Sequence, residues 1–196
     1  AVVRHLATQK IRALHTENLF IPLVAGLLFF EVIFEPMEGQ FQSHYQMGPL
    51  DFATPTFLPR RKESLTRWWW MHRTNPDLAG TVVERYHRHH RKVIPGVNWK
   101  AFTAEELHTL VSAIGPDAML HLCRRYLDHP GVHRRGMPDL IILDPDRGAV
   151  FSEVKGPSDT LREEQKAWLS FMLAHDIPCE VLHVTPTLAC GPCSPK

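Results

Sequence analysis

The sequence predicts an α/β domain in which helices cover a small sheet, and the last third of the chain carries most of that prediction. Residues 138–143 and 149–155 are typical of two strands, and the Pro/Gly-containing segment 144–148 is typical of the turn between them. A segment of helical periodicity, 161–174, and a final strand, 179–184, follow. The order helix, hairpin, helix and strand indicates a sheet with helices packed against it.

Helical periodicity dominates the first part of the chain. Residues 2–13 are predicted to form a helix. Asn18 is predicted to cap a second helix, which runs from about residue 19 to residue 34. Pro22 falls in the first turn of that helix, where a missing N–H costs nothing because those donors have no partner within the helix.

Residues 35–130 are predicted to form a long, mostly helical insertion within the domain. Its first part, 35–61, contains repeated Pro and Gly residues and is expected to be irregular but packed. Further helices are expected at 62–71, 76–90, 103–114 and 117–126. Thr103 and Glu106 have the spacing of a capping box at the start of the third of these helices.

Composition indicates one folded domain that is part of a longer protein. The chain has 196 residues, of which 44% are hydrophobic and 22% charged, which is ordinary for a globular domain with one core. Its net charge of +1 neither requires nor excludes a nucleic-acid partner. The first residue is Ala1 and apolar residues follow at once, so we interpret the chain as a fragment. Residues 1–184 are assigned to the domain and residues 185–196 to a flexible C-terminal tail.

No membrane segment or disulfide framework is predicted. The longest apolar run, 19–30, is too short to span a bilayer and is interpreted as a buried helix. The chain has 4 cysteines at irregular spacing, which favours an intracellular, reducing environment. Cys190 and Cys193 form a CxxC pair, but they lie in the Pro/Gly-rich tail, so a flexible terminus is favoured over a metal or redox site.

The predicted hairpin brings two acidic residues together. If it closes symmetrically around Asp146, Asp139 lies opposite Glu153, with their β-carbons roughly 4.5 to 5.5 Å apart. Two facing carboxylates repel each other, so the arrangement requires a cation. Hard oxygen ligands favour Mg²⁺, Mn²⁺ or Ca²⁺.

The residues after Glu153 fit the same site. Lys155 lies two positions further along the strand and points to the same face, where its ammonium would lie beside the metal and the attacking water. Val154 points its side chain the other way, while its carbonyl remains a candidate neutral ligand. Taken alone, Glu-x-Lys is more often a solvated strand edge, but the mirrored Pro-Asp and Glu-x-Lys spacing is the PD-(D/E)xK nuclease signature.

The chain resembles a known family over most of its length. The C-terminal segments Arg-Arg-Gly-Met-Pro-Asp-Leu at 134–140, Glu-Val-Lys-Gly-Pro-Ser-Asp at 153–159 and Gln-Lys-Ala-Trp-Leu at 165–169 resemble the virus-type replication-repair nuclease module. Further segments, at 15–18, 26–34 and 49–52, extend the resemblance upstream. More narrowly, the chain is similar to the C-terminal catalytic domain of the Fanconi-associated nuclease family.

This resemblance implies a restriction-endonuclease-like core with a central mixed sheet flanked by helices. It also implies a 5′-flap endonuclease and 5′-to-3′ exonuclease that acts in DNA repair, including repair of interstrand crosslinks, with one or two Mg²⁺ or Mn²⁺ ions. Glu17, Asp139 and Glu153 match the family's acidic metal ligands, Lys155 matches the catalytic lysine, and the Val154 carbonyl would complete the metal shell. The family's N-terminal domains are absent from this sequence and are expected partners, together with branched DNA.

Three further residues are candidates for supporting roles. Arg134 and Arg135 precede the metal-binding strand, and guanidinium groups match phosphate geometry, so both are predicted to contact DNA phosphates. Gln165 lies on the otherwise apolar face of its helix. It is either a residue that supports the metal site or a core amide with satisfied hydrogen bonds.

Other charged and aromatic clusters have open interpretations. The basic runs at 85–92, 60–62 and 124–125 either bind phosphates or form solvated helix faces. Glu31 either supports the metal site or pairs with a buried arginine, and Asp51 is a possible helix cap. In the run Trp68–Trp70, helical geometry requires at least one exposed ring, while core packing accounts for the other two.

Two other functions are compatible with these features. One is a nuclease that resolves four-way junctions, although the insertion at 35–130 is expected to obstruct the dimer such enzymes form. The other is a non-catalytic DNA-binding module, which the intact set of Glu17, Asp139, Glu153 and Lys155 argues against. The expected location is the nucleus in a eukaryote or the cytoplasm and nucleoid in a bacterium.

Overall fold

The computed structural model describes residues 2–8, 11–43 and 45–185, and over these ranges four strands form one mixed sheet. The strands are β1 (Arg12–His15), β2 (Leu140–Asp144), β3 (Gly148–Lys155) and β4 (Cys179–His183), in that order across the sheet. β2 runs antiparallel to both β1 and β3, whereas β4 runs parallel to β3. The helix α10 (Glu163–Ala174) makes the crossover between the two parallel strands.

Nine helices precede α10 in the described ranges. They are α1 (Val2–Thr8), α2 (Phe20–Leu28), α3 (Phe30–Ile33), α4 (Phe57–Arg60), α5 (Lys62–Arg73), α6 (Leu78–His89), α7 (Ala104–Ile114), α8 (Pro116–Asp128) and α9 (Pro130–His133). The predicted mostly helical insertion is therefore confirmed, because α4 to α8 all lie within it. The Cys190–Cys193 pair lies outside the described residues.

The helix α2 lies at the centre of the hydrophobic core. Every residue from Phe20 to Leu28 is buried, and the helix packs against α6 and α8. The prediction that this apolar run forms a core helix is confirmed, and among the described helices none is both long and apolar enough to cross a membrane. At Phe29 the helix is interrupted, and α3 continues the segment to Ile33.

The prediction of one helix over residues 2–13 is wrong in its second half. The helix α1 ends at Thr8, and residues Arg12–His15 form the edge strand β1 instead. This strand pairs with β2 in the register Ala13 to Ile142 and His15 to Leu140. Pairing with a distant strand satisfies the backbone of this segment, and such tertiary contacts override the weak helical pattern of a short stretch.

Asn18 does not cap the second helix, contrary to the prediction. Its φ angle is 54°, in the left-handed region that Asn tolerates better than most residues, and α2 begins without a side-chain cap. The Asn18 amide instead donates to Glu17 Oε1 at 3.1 Å. Asn18 therefore turns the chain between β1 and α2 and contacts an acidic residue of the candidate site.

The capping box predicted at Thr103 is confirmed. The Thr103 hydroxyl accepts from the Glu106 amide at 3.2 Å, and the Glu106 carboxylate accepts from the Thr103 amide at 2.8 Å. Gly115, at φ 83°, separates α7 from α8, a backbone conformation that glycine adopts without steric cost. The prediction for the tryptophan run is also confirmed, because Trp70 is exposed while Trp68 and Trp69 are half-buried against the core.

Several basic residues predicted on surface patches are buried instead. Arg85 pairs with Glu31 at 2.8 Å and also donates to the Leu27 carbonyl at 2.9 Å, near the break between α2 and α3. Arg61 is buried and pairs with Asp51 at 2.9 Å, so Asp51 anchors an arginine rather than a helix end. The sequence shows the charge of these residues, but not the carboxylates that lie beside them in the fold and compensate the free-energy cost of burying a charge.

We expect Arg85→Ala to destabilise the fold far more than Arg88→Ala. Removing Arg85 leaves the Glu31 carboxylate and the Leu27 carbonyl without this donor, which we expect to lower the free energy of unfolding by about 3 kcal/mol. Arg88 pairs with Glu84 on the surface, where both side chains are more than half exposed, so its removal should cost less than about 1 kcal/mol. Urea denaturation of both variants measures the difference, and equal losses would contradict the role assigned to Arg85.

Candidate active site

The β2–β3 hairpin places Asp139 opposite Glu153, as the sequence predicts. Leu140 pairs with Ser152 and Ile141 with Phe151, so the next step of the same register joins the two acidic positions. The turn lies at residues 145–147, where the Asp144 carboxylate accepts from the amides of Asp146 and Arg147. The hairpin is thus closed by local hydrogen bonds, which fixes the register at its far end.

Glu153 is a buried carboxylate in contact with the ammonium group of a lysine and the side-chain amide of a glutamine. It is 2% exposed, and its Oε1 atom lies 2.9 Å from Lys155 Nζ. The side-chain amide of Gln165 donates to the same oxygen. Burial raises the pKa of Glu153, as do the nearby charges of Asp139 and Glu17, while the Lys155 hydrogen bond opposes the rise.

Asp139 lies at the edge of β3 and receives a main-chain hydrogen bond. The Val154 amide donates to Asp139 Oδ2 at 2.8 Å. In an extended strand the N–H and C=O of one residue point to the same side, so the Val154 carbonyl also points toward the side of β3 where Asp139 lies. The main chain of Val154 and the carboxylate of Asp139 therefore lie on the same side of the site.

The strand β1 brings Glu17 to the site. The amide of Thr16 donates to the Asp139 carbonyl at 2.9 Å, which holds the following residue, Glu17, beside the start of β2. The Glu17 side chain is 45% exposed and lies 3.8 Å from His15 Nε2. Its charge is one of the causes that raise the pKa of Glu153, so three carboxylates influence one small region.

Gln165 connects Glu153 and Lys155. Its Oε1 atom accepts from Lys155 Nζ at 3.0 Å and from the Arg162 amide at 2.9 Å, and its Nε2 atom donates to Glu153. The side chain is buried, and its amide oxygen and nitrogen both have partners. Gln165 is thus a core amide with satisfied hydrogen bonds whose side-chain partners are the two charged residues of the hairpin.

We expect Gln165→Leu to misplace Lys155 and Glu153 without unfolding the domain. The variant loses hydrogen bonds to two charged groups, which together should lower the free energy of unfolding by about 2 to 3 kcal/mol. Residues that hold ligands and catalytic groups in position typically contribute about 10- to 100-fold to activity, and we expect a loss in that range. The exposed neighbour Lys166 provides a control variant, Lys166→Leu, that should retain activity. Full activity of Gln165→Leu would contradict the positioning role.

A polar cleft of about 260 Å³ opens at this site. Glu17 and Gln165 line it together with Arg135 and Arg162. Arg135 therefore lines the same cleft as Glu17, whereas Arg134 lines a neighbouring cleft near Tyr126. Arg162 was not predicted from the sequence, although a basic residue three positions before Gln165 was a signal that could have indicated it.

Gly136 allows the cleft to form beside α10. It has a φ angle of 80°, and a Cβ atom at this position would lie 2.6 Å from the Glu164 main-chain carbon. No larger residue fits so close to the backbone of another segment. The glycine therefore lets the loop that carries Arg135 approach the start of α10.

The oxygen atoms at the site fit a hard divalent cation in their chemistry. They belong to the carboxylates of Asp139, Glu153 and Glu17 and to the Val154 carbonyl, and such ligands suit Mg²⁺ or Mn²⁺. In the part of the chain that the structure describes, no three acidic, His or Cys side chains converge closely enough to hold an ion. Glu153 instead contacts Lys155 and Gln165, and the exposed Glu17 carboxylate remains at the mouth of the cleft.

The fold, together with the family and the relatives given next, defines a nuclease domain, an enzyme of the hydrolase class that cleaves DNA. The chain belongs to the VRR-NUC domain family, whose model matches residues 74–186. The resemblance inferred from the sequence is therefore confirmed.

The similar proteins are Fanconi-associated nucleases. The Fanconi-associated nuclease 1 homolog of Schizosaccharomyces pombe is 28% identical over 187 residues, which are 93% of this chain and 26% of that protein. Fanconi-associated nuclease 1 of Homo sapiens is 29% identical over 178 residues, or 88% of this chain and 18% of its own length. The chain thus spans about a quarter or less of these relatives.

Solved structures confirm the fold. A crystal structure of paFAN1 bound to DNA with a gap and a two-nucleotide 5′ flap matches with a TM-score of 0.85 at 26% identity. The match covers 95% of this chain and 34% of that one. A second structure of paFAN1, bound to DNA with a one-nucleotide 5′ flap, matches equally well.

Proposed function

We propose that this chain is the catalytic domain of a metal-dependent, structure-specific DNA nuclease. It would cut 5′ flaps as an endonuclease, degrade DNA from 5′ to 3′ as an exonuclease, and act in DNA repair, including repair of interstrand crosslinks. The main support is the opposed pair Asp139 and Glu153, with Lys155 Nζ 2.9 Å from the Glu153 carboxylate. The flap DNA bound by the structurally similar paFAN1 supports the choice of substrate.

One or two Mg²⁺ or Mn²⁺ ions would be held by Asp139, Glu153, Glu17 and the Val154 carbonyl. A bound ion would lower the pKa of its water and neutralise charge on the phosphodiester during hydrolysis. Because Glu17 is exposed, it is the residue with most freedom to turn toward the other ligands. Glu153 is buried and fixed by Gln165, so its position is set before any ion binds.

The remaining polar groups of the cleft would hold the scissile strand. Lys155 is buried, so its charge acts at close range on groups beside Glu153, and it would orient the attacking water and stabilise the developing negative charge. Arg135 and Arg162 line the same cleft and would bind the flanking phosphates. The chain therefore supplies both an acidic centre for the cation and a basic rim for the DNA backbone.

Selection of the flap is expected to involve parts of the protein beyond this domain. The matched region accounts for only 26% of the relative from Schizosaccharomyces pombe and 20% of the one from Arabidopsis thaliana. We therefore propose other domains of the same protein as partners, and an intracellular location where DNA is repaired. That location would be the nucleus in a eukaryote and the cytoplasm or nucleoid in a bacterium.

Cleavage of defined DNA structures by the full-length protein tests the proposal. Labelled 5′-flap, 3′-flap and four-way-junction DNA would be incubated with Mg²⁺, with Mn²⁺ or with a chelator. We expect cleavage close to the base of the 5′ flap, dependence on either metal, and much slower cleavage of the other substrates. Preferential, symmetrical cleavage of the junction would instead identify a resolving enzyme, and binding without any cleavage would identify a non-catalytic module.

A further inference from the structure

A second cleft, of about 420 Å³, lies apart from the acidic site where α5, α8, α9 and α10 meet. We call it the aromatic cleft because rings and cations line it: Trp69, His121, Arg124, Arg125, Phe171 and His175. The predicted basic pair Arg124-Arg125 is thus located in a concave site rather than on an ordinary helix face. Nothing in the hydrolysis described above uses these residues.

The rings of the aromatic cleft form a nearly continuous surface. The ring centroids of Phe171 and His175 are 4.1 Å apart, and those of His175 and His121 are 4.5 Å apart. Trp69 meets His121 edge to face at 5.5 Å. All four side chains are half-buried, so part of each ring remains accessible to a ligand. Surfaces of this kind stack nucleobases with little sequence preference.

Two arginines supply the positive charge of the aromatic cleft. Arg125 is held in place, because it donates to the Ala167 carbonyl at 3.0 Å and its guanidinium lies 4.6 Å from the centre of the Phe171 ring. Arg124 is exposed, packs over Trp69 at 5.6 Å and makes no ion pair within the described ranges. Asp128 is the acid in the lining, so the charge of the cleft is moderate, and burial lowers the pKa of His121.

One short segment of the chain runs from the aromatic cleft to the acidic site. His133 lines the aromatic cleft and Arg135 lines the acidic one, only two residues further along the chain. The Trp168 indole N–H donates to both of their carbonyls, at 3.1 and 3.0 Å, and so fixes the segment. On α10, Gln165 and Phe171 are six residues apart, which corresponds to about 9 Å along the axis. A DNA strand of a few nucleotides is long enough to cover this axial separation.

We propose that the aromatic cleft binds an unpaired nucleotide of the DNA substrate, with its base against the accessible parts of the Phe171 and His175 rings and its phosphate bound by Arg124. Paired bases are not available for such stacking, so the cleft distinguishes single-stranded from duplex DNA. The proposal rests on the proposed nuclease function. It adds to that function a second contact that holds the unpaired strand while the neighbouring phosphodiester lies at the carboxylates.

Equilibrium binding by the full-length protein tests this assignment. The variants are Arg124→Gln and His175→Ala, and the controls are Arg67→Gln and His108→Ala, which change the same residue types at exposed positions outside both clefts. Chelator prevents cleavage during binding. We expect each cleft variant to bind 5′-flap DNA at least about fivefold more weakly than wild type, as loss of stacking or of a phosphate contact implies. Affinity for the same duplex without unpaired nucleotides should stay unchanged, as should both controls.

Photocrosslinking locates the contact directly. A 5-iododeoxyuridine placed at successive flap positions should crosslink to the peptide that contains Phe171 and His175 at one or two positions only. Equal weakening of flap and flapless DNA, or no weakening, would overturn the proposal. Micromolar binding of free deoxyadenosine monophosphate that depends on Arg124 and His175 would also overturn it, in favour of a mononucleotide site.

The same experiment separates this proposal from the nuclease function. If wild-type protein cleaves flap DNA with metal while the cleft variants bind it normally, only the aromatic cleft assignment fails. If wild-type protein cleaves no DNA but the variants still lose flap binding, the cleft assignment holds and the nuclease function fails.

Discussion

Asp139→Asn and Glu153→Gln are each expected to reduce DNA cleavage by about a thousandfold or more. Both changes keep the size of the side chain and remove one negative charge from the place where Asp139 and Glu153 face each other. In the proposed mechanism, loss of either carboxylate would weaken cation binding and remove a group that would hold the cation beside Lys155. DNA affinity should change by less than about threefold, because contacts to phosphates supply most of the binding free energy.

Single-turnover cleavage with saturating enzyme measures the effect on the chemical step, and a binding isotherm with the same flap DNA measures affinity. Glu38→Gln is a matched control, since it removes an exposed carboxylate from the loop after α3 and should leave both quantities unchanged. Cleavage by Asp139→Asn within about tenfold of wild type would contradict the assignment of this residue. Restoration of activity at high Mn²⁺ concentration would support a ligand role, because a weakened site is filled by mass action.

The hairpin could be predicted from the sequence because its determinants are local. Asp139 and Glu153 are only fourteen positions apart, as their numbers show, and the intervening turn closes through Asp144. Alternating side chains then determine which residues share a face of the sheet. The positions of Asp139, Glu153 and Lys155 followed from this short segment, without knowledge of any distant contact.

Features that depend on distant segments were harder to predict. The strand β1 has only four residues, and its pairing partner β2 lies more than a hundred positions later, so its local pattern resembled the end of a helix. Likewise, Arg85 resembles a surface cation until Glu31, 54 positions earlier, is seen beside it. In each case a partner remote in sequence changes the free energy balance that local propensity suggests.

The aromatic cleft, too, could not be predicted from the sequence, because it is formed by segments that are distant along the chain. Its rings come from α5, α8 and α10, and no spacing within one helix indicates that Trp69, His121 and His175 meet. Gly136 has a comparable role at the acidic site, where its significance depends on the approach of Glu164. A family motif identifies the residues that carry out the chemistry, whereas a binding surface assembled from several helices becomes visible only in the folded chain.

Lys155→Met is expected to reduce cleavage by about 100- to 1000-fold, since it removes the positive charge nearest the Glu153 carboxylate while keeping much of the apolar stem. The same change should alter the proton balance of the site. Burial and the charges of Asp139 and Glu17 raise the pKa of Glu153, and the Lys155 hydrogen bond opposes this rise. Without that hydrogen bond, the pKa of Glu153 should rise further.

The raised pKa of Glu153 determines whether metal binding releases or takes up protons. At a pH between the ordinary carboxyl pKa and the raised pKa of Glu153, the metal-free site holds a proton that Mn²⁺ must displace in order to bind. Manganese binding at about pH 5 should therefore release protons, and Lys155→Met should release more than wild type. Calorimetric titration in two buffers of different ionisation enthalpy counts these protons, with Lys166→Met as the matched control. Absence of proton release in both wild type and Lys155→Met would contradict the assignment of Glu153 as a metal ligand with a raised pKa.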